Sequence, residues 1–293
     1  MGWNPCAGTP GAGQSWYSGA CGGSHGPNET MVRSVAAAFI RHGLAHKGYT
    51  MLELDDGWPA ANRSASGAIV ADPVLFPSGM KKLALDLAAL DPPMHFGLYT
   101  DRGPTTCGGK PGSAGHETQD AATYIDWGIR QVKSDSCGGV SEHRGAIAQY
   151  KLMQDALAKA PASAPVFFNL CGWFNWYGAA GPQAAVGNAY RLATDCVGYE
   201  QLLLNIDAVA PVAQFLGPGH WPDMDMISGH NLREPHAPEP WSELPRGPGS
   251  LIAKRVQTQF SMIAVTGAVP SPLSTFAIEH ARVFDHWFIS WLK

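Results

Sequence analysis

Charge is scarce in this sequence. Only 15% of its 293 residues are Asp, Glu, Lys or Arg, and the formal net charge is −4. Without a basic excess there is no field to draw in a nucleic-acid backbone or an anionic membrane surface, so neither partner is expected. No apolar run approaches the roughly 20 residues that a membrane span needs. Cysteines stand at positions 6, 21, 107, 137, 171 and 196, with no CxxC pair and no Cys/His cluster, which leaves structural zinc without support. Gly-rich phosphate loops of the GxGxxG or GxxxxGK[ST] type are also missing. No charged segment followed by an apolar one opens the chain, so the signal of an exported protein is expected to have been removed or lost.

What is present points the other way, toward one large core. Hydrophobic residues make up 45% of the chain, which rules out a disordered composition. Ten Trp and eight Tyr are many; most are expected to fill the core, and some to offer flat platforms suited to sugar faces. An even number of scattered cysteines fits three disulfides in an oxidising compartment. Asn28-Glu29-Thr30 and Asn62-Arg63-Ser64 are glycosylation sequons that add a little to this reading. A secreted or secretory (vacuolar–lysosomal) localisation is expected.

Helical and strand-like stretches alternate along the chain. Apolar residues recur at helical spacing over 29–45, with Asn28 as cap and Gly48 near the stop. Further helices are expected over 80–90, 118–130, 145–159, 199–213, 252–265 and 279–293. Strands are expected over 49–56, 95–101, 131–136, 166–170, 190–195, 220–226 and 268–274. Such alternation implies a parallel sheet. Acids close at least five of the strands: Asp55/Asp56, Asp101, Asp135, Asp195 and Asp223/Asp225. A closed barrel brings all these strand ends to one face, so a single (β/α)8 domain over 1–293 is preferred to an open sheet.

Lys133 and Asp135 are two apart on one strand and should share a face. They are expected to pair, the cation holding the carboxylate ionised as a nucleophile requires. The plain alternative is a buried salt bridge. Asp195 has apolar or neutral neighbours and suits a general acid with a raised pKa, or else a helix N-cap. Arg191 offers a planar fork of donors to hydroxyls or carboxylates. Asp55 with Asp56, and Asp223 with Asp225, suit gripping sugar hydroxyls, supporting hydrogen bonds or metal ligation; supporting hydrogen bonds are preferred, since no further ligands lie close in sequence. His95 and His220 read as packed histidines. Gly22-Gly23-Ser24-His25-Gly26 matches GxSxG but follows no strand, so serine hydrolysis has weak support.

These residues sit in stretches that resemble glycoside hydrolase family 27, the α-galactosidases and α-N-acetylgalactosaminidases. The stretches are Gly2-Trp3-Asn4, Leu54-Asp55-Asp56-Gly57-Trp58, Phe76-Pro77-Ser78-Gly79-Met80, Phe96-Gly97-Leu98-Tyr99-Thr100-Asp101, Thr106-Cys107, Lys133-Ser134-Asp135-Ser136-Cys137, Gly187-Asn188-Ala189-Tyr190-Arg191 with Asp195, and Gly217-Pro218-Gly219-His220-Trp221 with Asp223 and Asp225. The resemblance implies Asp135 as nucleophile and Asp195 as acid/base of a retaining hydrolase. It implies Trp3, Asp55, Asp56, Tyr99, Cys107, Lys133 and Arg191 around a galactose ring, and a Cys107–Cys137 disulfide. Under it the other cysteines are expected to pair as Cys6–Cys21 and Cys171–Cys196. No metal or organic cofactor is implied; the implied partner is an α-galactoside oligosaccharide or glycoconjugate.

The chain also departs from that family. Ser134 replaces the usual aromatic between lysine and nucleophile. Gly172 stands where α-galactosidases carry a Glu against the sugar 2-hydroxyl, which leaves room for an N-acetyl substituent and an α-N-acetylgalactosaminidase specificity. Pro222 and Met224 alter the neighbours of Asp223 and Asp225, and drift of this kind is compatible with a silent sugar-binding barrel. The segment 229–248 is rich in proline and is expected to form a loop over the mouth. The barrel is expected to stand without the usual C-terminal β-sandwich.

Overall fold

Asn28 lies in extended backbone, and its side-chain oxygen accepts the Met31 N–H, satisfying a donor that the first helical turn leaves open. Helix α1 (Glu29–Arg41) follows and buries Val32, Ala36 and Phe39 along one face. It stops four residues before the expected end, because Gly43 takes a positive φ of 75°. The computed structural model describes residues 2–3, 27–139, 143–172, 186–193, 195, 199–215 and 217–225. The segments expected over 229–248, 252–265, 268–274 and 279–293, with Cys6, Cys21, Cys196 and the Trp3 side chain, lie outside the described residues.

Among the described residues seven strands form one sheet in chain order: β1 (Gly2–Trp3), β2 (Met51–Glu53), β3 (His95–Asp101), β4 (Gln131–Asp135), β5 (Phe167–Leu170), β6 (Ala189–Arg191) and β7 (Trp221–Asp223). Every neighbouring pair is parallel. Parallel neighbours need crossovers, and described helices supply five of the six, the first being α1. The others are α2 (Met80–Ala88), α3 (Glu117–Asp126), α4 (His143–Leu157) and α5 (Tyr199–Val209), while residues 173–185 between β5 and β6 lie outside the described residues. The fold is therefore α/β with a sequentially ordered parallel sheet, as the alternation predicts. A two-residue β1 carries no period, which is why the pattern misses it.

Side chains alternate across the sheet. Leu52, Leu54, Phe96, Leu98, Val132, Phe168, Leu170 and Tyr190 lie on the face that packs into the main hydrophobic core with Leu83, Leu87, Tyr124 and Met153 from the helices. The register sets Glu53, Gly97 and Gln131 in one row of the opposite face, then Tyr99, Lys133 and Asn169, then Asp101 and Asp135. On β2 to β5 one face is largely apolar and the other largely polar or charged.

Several expected boundaries shift, three of them at candidate acids; β7 ends at Asp223, so Asp225 lies two residues past it. β2 ends at Glu53, so Asp55 and Asp56 stand just beyond it. β6 ends at Arg191, so Asp195 lies four residues past the sheet rather than on a strand end.

Between β2 and α2 the chain doubles back as a hairpin, with Pro59 bridged antiparallel to Ala71 and Asp72 N–H donating to the Trp58 carbonyl at 2.9 Å. Arg63 near its tip holds both carboxylate oxygens of Asp120 on α3 at 2.7 Å and also donates to the carbonyls of Gly67 and Gly112. Asp120 is fully buried and accepts Ser113 Oγ as well. Deleting that carboxylate strands a nearly buried guanidinium, so Asp120→Ala is expected to cost roughly 3–5 kcal/mol in urea unfolding. A loss under ~1 kcal/mol would show the hairpin to be free of α3.

Candidate active site

The candidate site residues gather at the carboxyl end of the sheet. Asp135 closes β4, is 9% exposed, and has both oxygens engaged: Tyr99 Oη donates to Oδ2 at 2.8 Å and the Ser136 N–H donates to Oδ1 at 2.8 Å. Its Oδ2 also lies 3.5 Å from Cys107 Sγ. Cys107 and Cys137 form the expected disulfide, across 30 residues of sequence. This ties the loop after β3 to the loop after β4, beside Asp135.

The expected Lys133–Asp135 ion pair is not the one formed. Lys133 Nζ donates to Asp55 Oδ2 at 2.7 Å, joining β4 to the end of β2. Lys133 also sits 5.3 Å from the Tyr99 ring centre. Asp135 feels the cation through space only. Burial pushes its carboxyl above the ordinary range, opposed by the Lys133 charge, the Ser136 N–H and the Tyr99 hydroxyl. Alternation put lysine and aspartate on one face correctly; it gave no access to the competitor from another strand.

Asp195 also departs from its expected surroundings. Its side chain is 43% exposed, and Arg191 Nη2 pairs with it at 3.1 Å, so the apolar setting read from its sequence neighbours is absent. Arg191 is itself buried at 1% and holds Asp225 Oδ1 at 2.8 Å through Nη1. One guanidinium thus links Asp195 to Asp225. Burial and Arg191 act in opposite directions on Asp225, and its carboxyl is pushed up to about 6. Asp223 accepts the Asn169 amide at 2.7 Å and the Asp225 N–H at 2.8 Å. These are the supporting hydrogen bonds expected of the pair.

Cys171 is a buried free thiol whose sulfur lies 3.7 Å from Arg191 Nη1. The expected Cys171–Cys196 pair is therefore not made. Burial raises its pKa, and its surroundings include the charges of Asp135, Arg191, Lys133 and Asp195. Gly172 follows it and is buried.

Asp56 accepts the Gly57 N–H at 2.7 Å and the Gly108 N–H at 2.6 Å, anchoring the Cys107 loop. Asp101 is fully buried; its carboxylate accepts the N–H groups of Gly103 and Cys137 at 2.7 and 2.8 Å and of Gly138 at 3.3 Å. The set Asp101, Cys107, Asp135 and Cys137 has metal-like spacing. Two of its ligand atoms are consumed by the disulfide and Asp101 is committed to backbone donors, so the set does not fit a metal.

These arrangements settle the family question once the sequence is compared with known proteins. A family model described as Alpha galactosidase A (Melibiase_2) matches residues 24–233. The chain belongs to this alpha-galactosidase family. It is 36% identical over 250 residues to alpha-galactosidase A of Cellvibrio japonicus, covering 80% of this chain and 56% of that protein. It is 34% identical over 233 residues to an alpha-galactosidase of Cyamopsis tetragonoloba, covering 79% and 52%. A solved alpha-galactosidase of Saccharomyces cerevisiae with raffinose superposes with a TM-score of 0.68 at 26% identity, covering 94% of this chain and 58% of that one. The chain thus spans about half the length of the curated relatives it matches.

Within this family member, sequence reasoning missed one buried acid. Glu53 lies on β2 in the row below Asp55, 6% exposed, and accepts Gln131 Nε2 from β4. Both side chains meet over Gly97, where a Cβ would lie 3.0 Å from that of Gln131. The alternation of Glu53 with Leu52 and Leu54 was the available signal; its isolation from any motif hid it. Burial pushes Glu53 up to about 8, with Asp55, Asp223 and Asp225 adding to the rise and Lys133 opposing it. The native state therefore binds this proton more tightly than the unfolded chain does, and stability drains away as pH climbs toward 8. The melting temperature of Glu53→Gln, which cannot ionise, should gain on the wild type between pH 5 and pH 8. A gap that stays constant with pH would mean Glu53 is charged throughout.

Proposed function

We propose that this chain is the catalytic barrel of a retaining α-galactosidase, with Asp135 as nucleophile and Asp195 as acid/base. The observation that carries the proposal is the contrast in how the two carboxylates are held. Asp135 is buried with both oxygens held by donors; Asp195 is 43% exposed on a guanidinium tether, open to water and to a departing group. Asp135 attacks the anomeric carbon while Asp195 protonates the glycosidic oxygen. Asp195 then takes a proton from water, which releases the sugar with its configuration retained. This double displacement needs the carboxyl groups roughly 5–5.5 Å apart in the working enzyme.

Asp55, Asp56, Tyr99, Cys107, Lys133, Arg191 and Trp3 form the sugar pocket in this reading, with Asp223 and Asp225 holding Asn169 and Arg191 in place. The named relatives, and the solved relative holding raffinose, support a terminal α-linked galactose as substrate. A second specificity, for α-N-acetylgalactosaminides, is favoured by the buried Gly172, which adds no side chain beside Cys171. The sequential parallel sheet supports a single (β/α)8 domain closed by an eighth strand. The Cys107–Cys137 disulfide supports a secretory localisation.

Release of p-nitrophenol from the α-galactoside and the α-N-acetylgalactosaminide tests the reading. At least one should turn over, EDTA should leave the rate unchanged, and Asp135→Asn should lose all but a trace of kcat while still binding galactose. Wild-type protein that binds galactose and turns over neither glycoside would sink the hydrolase. A second measurement probes Tyr99, whose hydroxyl lowers the Asp135 pKa. Removing a hydrogen bond to a charged group costs about 1.5–3 kcal/mol, so Tyr99→Phe should move the acid limb of kcat/KM upward by roughly 1–2 pH units. An unmoved limb would take Tyr99 out of the nucleophile's surroundings.

A further inference from the structure

Two sequons occur in this chain, and their environments differ. Asn28 is partly buried next to the buried Pro27, and its carboxamide oxygen caps α1 by accepting the Met31 N–H at 3.0 Å. A sugar on that amide has to be fitted against the helix entry, where the Glu29 N–H is already spent on the Leu75 carbonyl at 2.9 Å. Asn62 is exposed, as is Ala61 before it. It sits near the tip of the Trp58–Asp72 hairpin, where Ser64 and Ala68 close the turn with an N–H to carbonyl bond of 2.9 Å. The next residue, Arg63, turns inward and is clamped on Asp120 at 2.7 Å. The backbone beneath Asn62 is thus fixed while its own side chain is open, and exposed turn tips tolerate bulky additions best.

We propose that Asn62 is an N-glycan acceptor of this chain and that Asn28 is not. The donor is a lipid-diphosphate-linked oligosaccharide supplied with its transferase by a secretory pathway. The Asn62 amide nitrogen forms a bond to the anomeric carbon, the lipid diphosphate leaves, and the nitrogen gives up one proton. Because the hairpin springs from the carboxyl end of β2, the glycan stands at the same end of the sheet as Asp55 and Asp135. The inference uses neither the proposed reaction nor its substrate, so it survives or fails independently of them.

The test is to produce the full chain in a eukaryotic secretory host and digest both the secreted and the membrane-enclosed pools. Treatment with an N-glycan amidase in heavy-oxygen water converts each occupied Asn to a mass-labelled Asp. The peptide holding Asn62 should carry the label in both pools and the peptide holding Asn28 should not. Asn62→Gln should migrate at the size of the deglycosylated protein, and Asn28→Gln should keep the slower migration. Where Asn62→Gln fails to accumulate, the wild-type label alone decides. An unlabelled Asn62, or a labelled Asn28, overturns the proposal.

Discussion

Lys133 is buried among more carboxylates than it can neutralise, and the site is organised by which one it takes. It takes Asp55, at 2.7 Å. That choice welds β2 to β4 across the intervening β3 and leaves Asp135 with a cation nearby but not in contact. Burial of an ion pair is costly unless its geometry is good and its remaining valences are met; here the Tyr99 ring covers Lys133 from the side. A second cation, Arg191, does the same for β6 and the residues after β7. Burial pushes carboxyls upward here, at Glu53, Asp101 and Asp225, and the two cations offset it only in part at Glu53 and Asp225.

Glycine supplies the other constraint. A Cβ on Gly103 would lie 1.9 Å from the Gly138 carbonyl carbon, and one on Gly112 would lie 2.2 Å from the Gly103 oxygen. The loops after β3 and β4 therefore touch backbone to backbone. Asp101 fills the space between them with acceptors for three N–H groups. A side chain on Gly103 would part those loops before the disulfide could join them, and one on Gly112 would open the loop after β3 itself.

Much of this was legible in the sequence. Strand–helix alternation gave the parallel sheet, and the acids beyond each strand gave its working end. The period of two gave the shared face of Lys133 and Asp135. What it could not give was partner choice, because a strand's pattern says which way a side chain points and not which neighbour reaches it first. Asp55, Lys133 and Tyr99 are far apart in the chain and meet only through register. The surroundings of Asp195 were misjudged for a related reason: the sequence offered Arg191 as a donor to carboxylates but not which ones, and it takes both Asp195 and Asp225. Glu53 and Asp101 carried no motif that distinguished a buried structural acid from a catalytic one.

The two carboxylates differ in how they are mounted. Asp135 is gripped from several sides: its two oxygens are held, its carbonyl accepts the Arg102 N–H at 3.0 Å, and a covalent cross-link begins two residues on. Asp195 hangs from one guanidinium. In a double displacement the distances between sugar and enzyme change at every step, and a rigid group cannot follow them. On the proposed roles the compliance of the cycle would be asymmetric: Asp135 would act as an anvil, and the tethered Asp195 would supply the travel.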